Sequence, residues 1–161
     1  MIFQTNLLNQ PLSQGDVLDD CPLLIWEDAD QGPETVDLLT RVIVLTQACD
    51  LAQTKTTRVV VAVVHQAQAL VDLGVLTPSQ IRDQIRAHRV YGWYFLPASG
   101  ELAESLVDLR DLHTVPRKLL EQLIVDGNRV CRLVTPYREH MAQQFATTYA
   151  RIALPEPYDT E

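Results

Sequence analysis

Two continuous apolar runs, Val42-Ile43-Val44-Leu45 and Val59 to Val64, constrain this chain more than any other feature. Both are rich in β-branched residues and neither alternates with polar ones, the pattern of a strand covered on both faces. Only a short segment ending in the polar turn Lys55-Thr56-Thr57-Arg58 separates the end of the first from the second. The two runs are therefore predicted to pair at the heart of a sheet.

The flanking sequence supplies shorter elements. Gly15-Asp16 reads as a turn into the strand Val17-Leu18, and Cys21 to Trp26 as an edge strand opened by Pro22. The acidic stretch Glu27 to Glu34, with Gly32-Pro33, reads as an exposed loop. After His65 the apolar period lengthens, giving a short helix closed by Gly74 and a second helix started by Thr77-Pro78-Ser79-Gln80, a capping-box pattern with Pro at the first helical position. Val90 to Leu96 and Ser105 to Leu109 are β-prone, Leu112 to Ile124 has a helical stripe, and Arg129 to Val134 returns as a strand. A last helix begins at Thr135-Pro136 and carries Met141, Phe145, Tyr149 and Ile152 on one face, followed by a tail from Leu154 to Glu161. Strands with helices inserted predict an α+β class, with a small antiparallel barrel or strongly bent sheet flanked by helices. At 161 residues the chain is expected to be one domain, with a helical insertion near 66–89 and a C-terminal helix near 136–152.

Charge narrows the choice of partners. Thirteen Lys and Arg face 21 Asp and Glu, a formal net charge of -8 that repels polyanions at long range. No apolar run approaches the roughly 20 residues of a membrane-spanning helix. The first ten residues contain neither Lys nor Arg nor a sustained apolar segment, so no secretory leader is read there and a cytoplasmic location is expected. Three widely spaced cysteines, Cys21, Cys49 and Cys131, suit reduced thiols and form no Cys-x-x-Cys pair.

Several of these pieces together resemble the PemK/MazF-type toxin fold. Gly15-Asp16-Val17 is similar to that family's opening strand, Arg41-Val-Ile-Val-Leu-Thr46 to its Arg-Pro-Val-Val-Val-Leu-Ser run, and Val59 to Val64 to its next strand. Ser105 to Val115 resembles its late strand and the turn into its final helix. The stretch Thr46-Gln47-Ala48-Cys49-Asp50-Leu51 and the Pro136-Tyr137-Arg138-Glu139-His140 opening of the last helix also resemble segments of uncharacterised bacterial proteins. The toxin resemblance implies an SH3-like barrel and, in members that cut RNA, an Arg near the start of the central strand with a Thr or Ser at the end of the following one. Arg41 matches the first position; the second falls at Val64-His65, which carries no hydroxyl.

Three constellations can carry function. Gln47, Cys49 and Asp50 follow the first central strand, where a side chain can face a cleft from a rigid base. With Cys49 as nucleophile, His65 as base and Gln47 or Asp50 as orienting groups, they would make a small thiol enzyme. The plainer alternative makes Cys49 a small core residue and Asp50 a turn cap. A metal would recruit Cys49, Asp50, His65 and His113 or His140, but no local ligand spacing supports it, so neither metal nor other cofactor is expected. The second constellation is Arg82, Arg86 and Arg89 on one predicted helical face, with Tyr91, Trp93 and Tyr94 following, a composition able to grip single-stranded nucleic acid or to form an ordinary solvated face. The third is the last helix, whose apolar stripe can be core or can seat a second subunit as a homodimer. The leading expectation is a nucleic-acid or protein binding module with ribonuclease-type chemistry at Arg41; the rival is the Cys49 enzyme.

Overall fold

The structure is a computed structural model, and it describes residues 1–53 and 55–150. Seven strands form one antiparallel sheet: β1 (Phe3–Gln4), β2 (Asp16–Ala29), β3 (Gly32–Val44), β4 (Arg58–Gln66), β5 (Trp93–Leu96), β6 (Ser105–Pro116) and β7 (Arg129–Leu133). Their order across the sheet is β1-β7-β2-β3-β4-β6-β5. The helices are α1 (Ala48–Leu51), α2 (Ala67–Asp72), α3 (Pro78–Gln80, continued by a π-helical turn over Ile81–Ile85), α4 (Arg117–Val125) and α5 (Tyr137–Ala150). The class is α+β with a C-terminal helix, and the sheet does not close into a barrel.

One face of the sheet nevertheless makes a single core from edge to edge. Phe3 on one edge strand and Tyr94 and Leu96 on the other belong to one core cluster, completed by Val17, Ile43, Leu133 and, from α5, Met141. The opposite face of the central strands makes a second cluster of Leu18, Val42, Val44, Val59, Val61 and Val63, covered by Leu120 and Leu123 of α4. Val42, Ile43 and Val44 have no exposed surface, as the unbroken apolar run requires of a strand covered on both faces. A third cluster joins Leu70, Ile81 and Ile85 of the insertion to Trp93 and Leu106.

Two elements differ from the expectation. Glu27 to Glu34 is the tip of a long hairpin: Cys21 to Ala29 pairs continuously with Gly32 to Thr40, leaving only Asp30-Gln31 as the connection. Its polar composition hides the strands because that end of the ribbon is exposed and needs no apolar alternation. Leu112 to Pro116 likewise stays in β6, opposite Arg58 to Ala62, and α4 begins only at Arg117. Pro116 lacks the amide that would continue a ladder and has an extended backbone conformation at the strand-to-helix junction. Thr77 caps α3 as its sequence implies: Thr77 Oγ1 accepts from the Gln80 amide at 3.2 Å and Gln80 Oε1 from the Thr77 amide at 2.8 Å. Ile152 and the tail lie outside the described residues.

Asp16 is the buried polar centre of the amino-terminal half. Arg132 Nε donates to its Oδ1 at 2.5 Å, Arg132 and Arg129 both reach its Oδ2 at 3.0 and 3.2 Å, and the Ser13 amide donates to Oδ2 at 3.0 Å. The same guanidinium groups bond the carbonyls of Leu7, Gln10 and Pro11, pinning the segment before β2. Gly15 precedes this site with φ +84°, and a Cβ there would sit 2.9 Å from the Leu133 carbonyl oxygen. The Gly15-Asp16 pair is thus fixed by backbone proximity and charge burial.

Candidate functional site

Three surface regions contain the sequence-predicted site residues or the exposed groups that a partner could touch. The first lies where β3 ends. Thr46 ties β3 to β4: Oγ1 accepts from the Val60 amide at 2.8 Å, and Leu45 N–H donates to the Val60 carbonyl at 2.9 Å. Gln47 and Asp50 then project into a cleft of about 500 Å³, with Thr56, Arg58 and Phe145 on its other sides. Cys49 is exposed beside it, its Sγ 3.5 Å from Gln47 Oε1.

His65 does not join them. Val60 is level with Thr46, and His65 stands five residues further along the strand, roughly 16 Å at the rise of an extended chain. Its ring packs edge-on against Trp93 with centroids 6.3 Å apart. The base of the proposed thiol enzyme is therefore beyond hydrogen-bond reach, even through one water. Cys21 and Cys131 are buried, and burial pushes their thiols up to about 11 and about 12. Among the described residues, no three His, Cys, Asp or Glu side chains converge so as to hold a metal ion.

Arg41 is committed elsewhere. Its guanidinium pairs with Asp19 through two contacts, Nε to Oδ1 and a second to Oδ2 at 2.8 Å. Asp19 can reach it because a bulge between Leu18 and Cys21 turns that residue toward β3. The hydrogen bond to Asp19 raises the Arg41 pKa above its ordinary value, holding the cation in this pair.

The second region holds Arg82 and Arg86. Both line a cleft of about 330 Å³ with Gln66, Gln68, Ile81 and Glu104, whereas Arg89 and Tyr91 do not. The π-helical turn explains the split: Arg86 and Arg89 amides bond carbonyls five residues back, at Ile81 and Gln84, so the even helical stripe is lost. Arg82 pairs with its neighbour Asp83 at 2.8 and 2.9 Å, and Arg86 lies 5.4 Å from the Phe95 ring centre. Trp93 and Tyr94, which a stacking platform would need open, are buried, and the Arg110 guanidinium covers Trp93 at 5.2 Å.

The third region was not read from the sequence as a site. Beyond the bulge, β2 and β3 leave the sheet as a two-stranded arm: β2 pairs with β7 only at Asp16 to Leu18, and β3 with β4 only at Val42 to Val44. One face of the arm, with Cys21, Leu23 and Ile25, packs onto α4. The other presents Pro22, Leu24 and Trp26, with Leu39 directly across from Pro22. Leu24 is 59% exposed, Trp26 69% and Leu39 71%. The signal is the unbroken apolar run from Cys21 to Trp26, whose alternate side chains face opposite sides of the strand, so that one set stays open when the other fills the core.

Compared with family models and with curated proteins, the sequence matches none. No described helix is long and apolar enough to cross a membrane.

Proposed function

We propose that this protein is a binding module that docks a protein partner on the open face of its β2–β3 arm. The observation that carries this reading is a large indole, 69% exposed, in line with the exposed Leu24 and Leu39 on one face of a ribbon whose reverse side is anchored to α4. Aromatic side chains held on a rigid element are the groups that dominate protein interfaces, and clustered exposed apolar side chains mark such surfaces. The other exposed apolar pairs, Leu8 with Val125 in one cleft and Leu73 with Val75, contain no aromatic anchor.

The likeness to the PemK/MazF-type fold belongs to the same proposal. It is supported by the antiparallel sheet, whose two edge strands share one core with the final helix. Arg41 held by Asp19, and a central strand ending in Val64-His65, favour a binding role over RNA cleavage within that likeness. The separation of Cys49 from His65 removes the support for the thiol enzyme.

The test is differential co-purification. Proteins recovered with the wild type are compared quantitatively with those recovered with Trp26→Ser, Leu39→Ser, both positions lying outside the core. A set of partners lost only with the variant is expected; identical sets from the two would contradict the reading.

A further inference from the structure

Resting on the arm as docking element, we infer that its occupant is a cationic, extended protein segment carrying apolar side chains. Glu27, Asp28, Asp30, Glu34 and Asp37 all lie between Cys21 and Thr40, a stretch with no Lys or Arg. These are five of the chain's 21 carboxylates, concentrated on one ribbon. Among the described residues none of the five has an ion-pair partner, whereas Asp16, Asp19, Asp83, Asp108 and Glu139 elsewhere are paired. By the pairing register Asp28 and Asp37 share the open face with Leu24, Trp26 and Leu39, Asp30 sits at the tip, and Glu27 and Glu34 lie on the reverse face. An apolar stripe flanked by unpaired charge of one sign selects a partner of the opposite sign, because like charge across the contact is repelled.

That selection also excludes the simplest self-association. A twofold dimer through this face would bring two copies of Asp28 and Asp37 together. An extended occupant follows from the backbone. Between Cys21 and Thr40 the two strands pair only with each other, so both outer edges keep unpaired amides and carbonyls. A strand added at either edge places alternate side chains beside Leu24, Trp26 and Leu39, and its cations beside the acidic rim. Pro22 and Pro33 each remove one edge donor, at the base of β2 and near the tip of β3, which limits where a strand can add.

The probe is a fluorophore-labelled peptide of alternating Lys and Val, set against the same length of alternating Glu and Val, with full-length protein and binding followed by the peptide's fluorescence anisotropy. The Lys peptide is expected to bind, weakening about tenfold between about 50 and about 300 mM NaCl as the rim is screened. Trp26→Ser should abolish the response, and the triple substitution Asp28→Asn, Asp30→Asn, Asp37→Asn should weaken it several-fold. Equal binding of both peptides, binding indifferent to salt, or no binding of the Lys peptide overturns the inference. So does a dimer in sedimentation equilibrium that Trp26→Ser dissociates, since a second copy would then be the occupant. All of these outcomes concern the charge and identity of the occupant, and the co-purification comparison still decides separately whether the arm docks a protein.

Discussion

His88 and His140 meet edge to face, their ring centroids 4.5 Å apart at 90°, and this contact joins the helical insertion to α5. Tyr94 completes the group: its hydroxyl bonds the Tyr137 carbonyl at 3.2 Å and lies 3.3 Å from His140 Nδ1. Burial, then the neighbouring His140, lower the His88 pKa below its ordinary 6.5, while burial pushes the Tyr94 phenol up to about 12, so it stays neutral. A lowered folded-state pKa means that below about 6.5 the unfolded chain binds a proton that the folded chain resists. Stability from this contact is therefore complete above that pH and lost as pH falls toward the folded value. His88 has φ +55°, a conformation that Asn tolerates. Thermal melts at neutral and mildly acidic pH should show a smaller acid loss for His88→Asn than for the wild type; equal losses would contradict the assignment.

Asp16 has no exposed side-chain surface and faces two arginines that are themselves largely buried. Asp16→Asn leaves both guanidinium groups without a counterion, a type of change that costs about 3–5 kcal/mol. Urea unfolding should show that loss without requiring any partner to be present.

Arg41 and Asp19 are expected to couple structurally. A double-mutant cycle with Arg41→Ala and Asp19→Ala should return an interaction of about 1 kcal/mol in unfolding free energy, the upper end for a well-aligned, part-exposed pair. A coupling near zero would free Arg41 for another role.

Cys49 should be the one cysteine of the three that reacts readily with a thiol reagent in the native state, since Cys21 and Cys131 are buried with raised pKa values. Because His65 is remote, His65→Gln should leave the rate at Cys49 within about twofold of wild type. A large fall would restore the thiol and imidazole as a working pair.

The central strands were legible because Val42 to Val44 and Val59 to Val64 show the same unbroken apolar pattern that burial on both faces demands. The Thr77 cap was legible for a similar reason, its bonds being local. Asp16 was read only as part of a turn, since its arginines lie more than a hundred residues away in sequence. The arginine stripe misled through regular helical spacing, which the π-helical turn after Gln80 breaks. Of the residues that follow the first central strand, Gln47 and Asp50 do face a cleft, but the pairing register carries His65 away from it. The arm escaped notice because its acidic tip suggested a loop, and only the register from Cys21 to Thr40 shows that Leu24, Trp26 and Leu39 share an open face.

The most direct measurement of the arm's role is site-specific photo-crosslinking in cells, with a photoreactive phenylalanine analogue placed in turn at positions 26, 39, 73 and 125. All four side chains are exposed, but only the first two belong to the arm's open face. Discrete adducts with another protein at 26 and 39, absent at 73 and 125, are the predicted result. No adduct at the arm positions, or the same pattern at all four, would contradict a docking role for the β2–β3 arm.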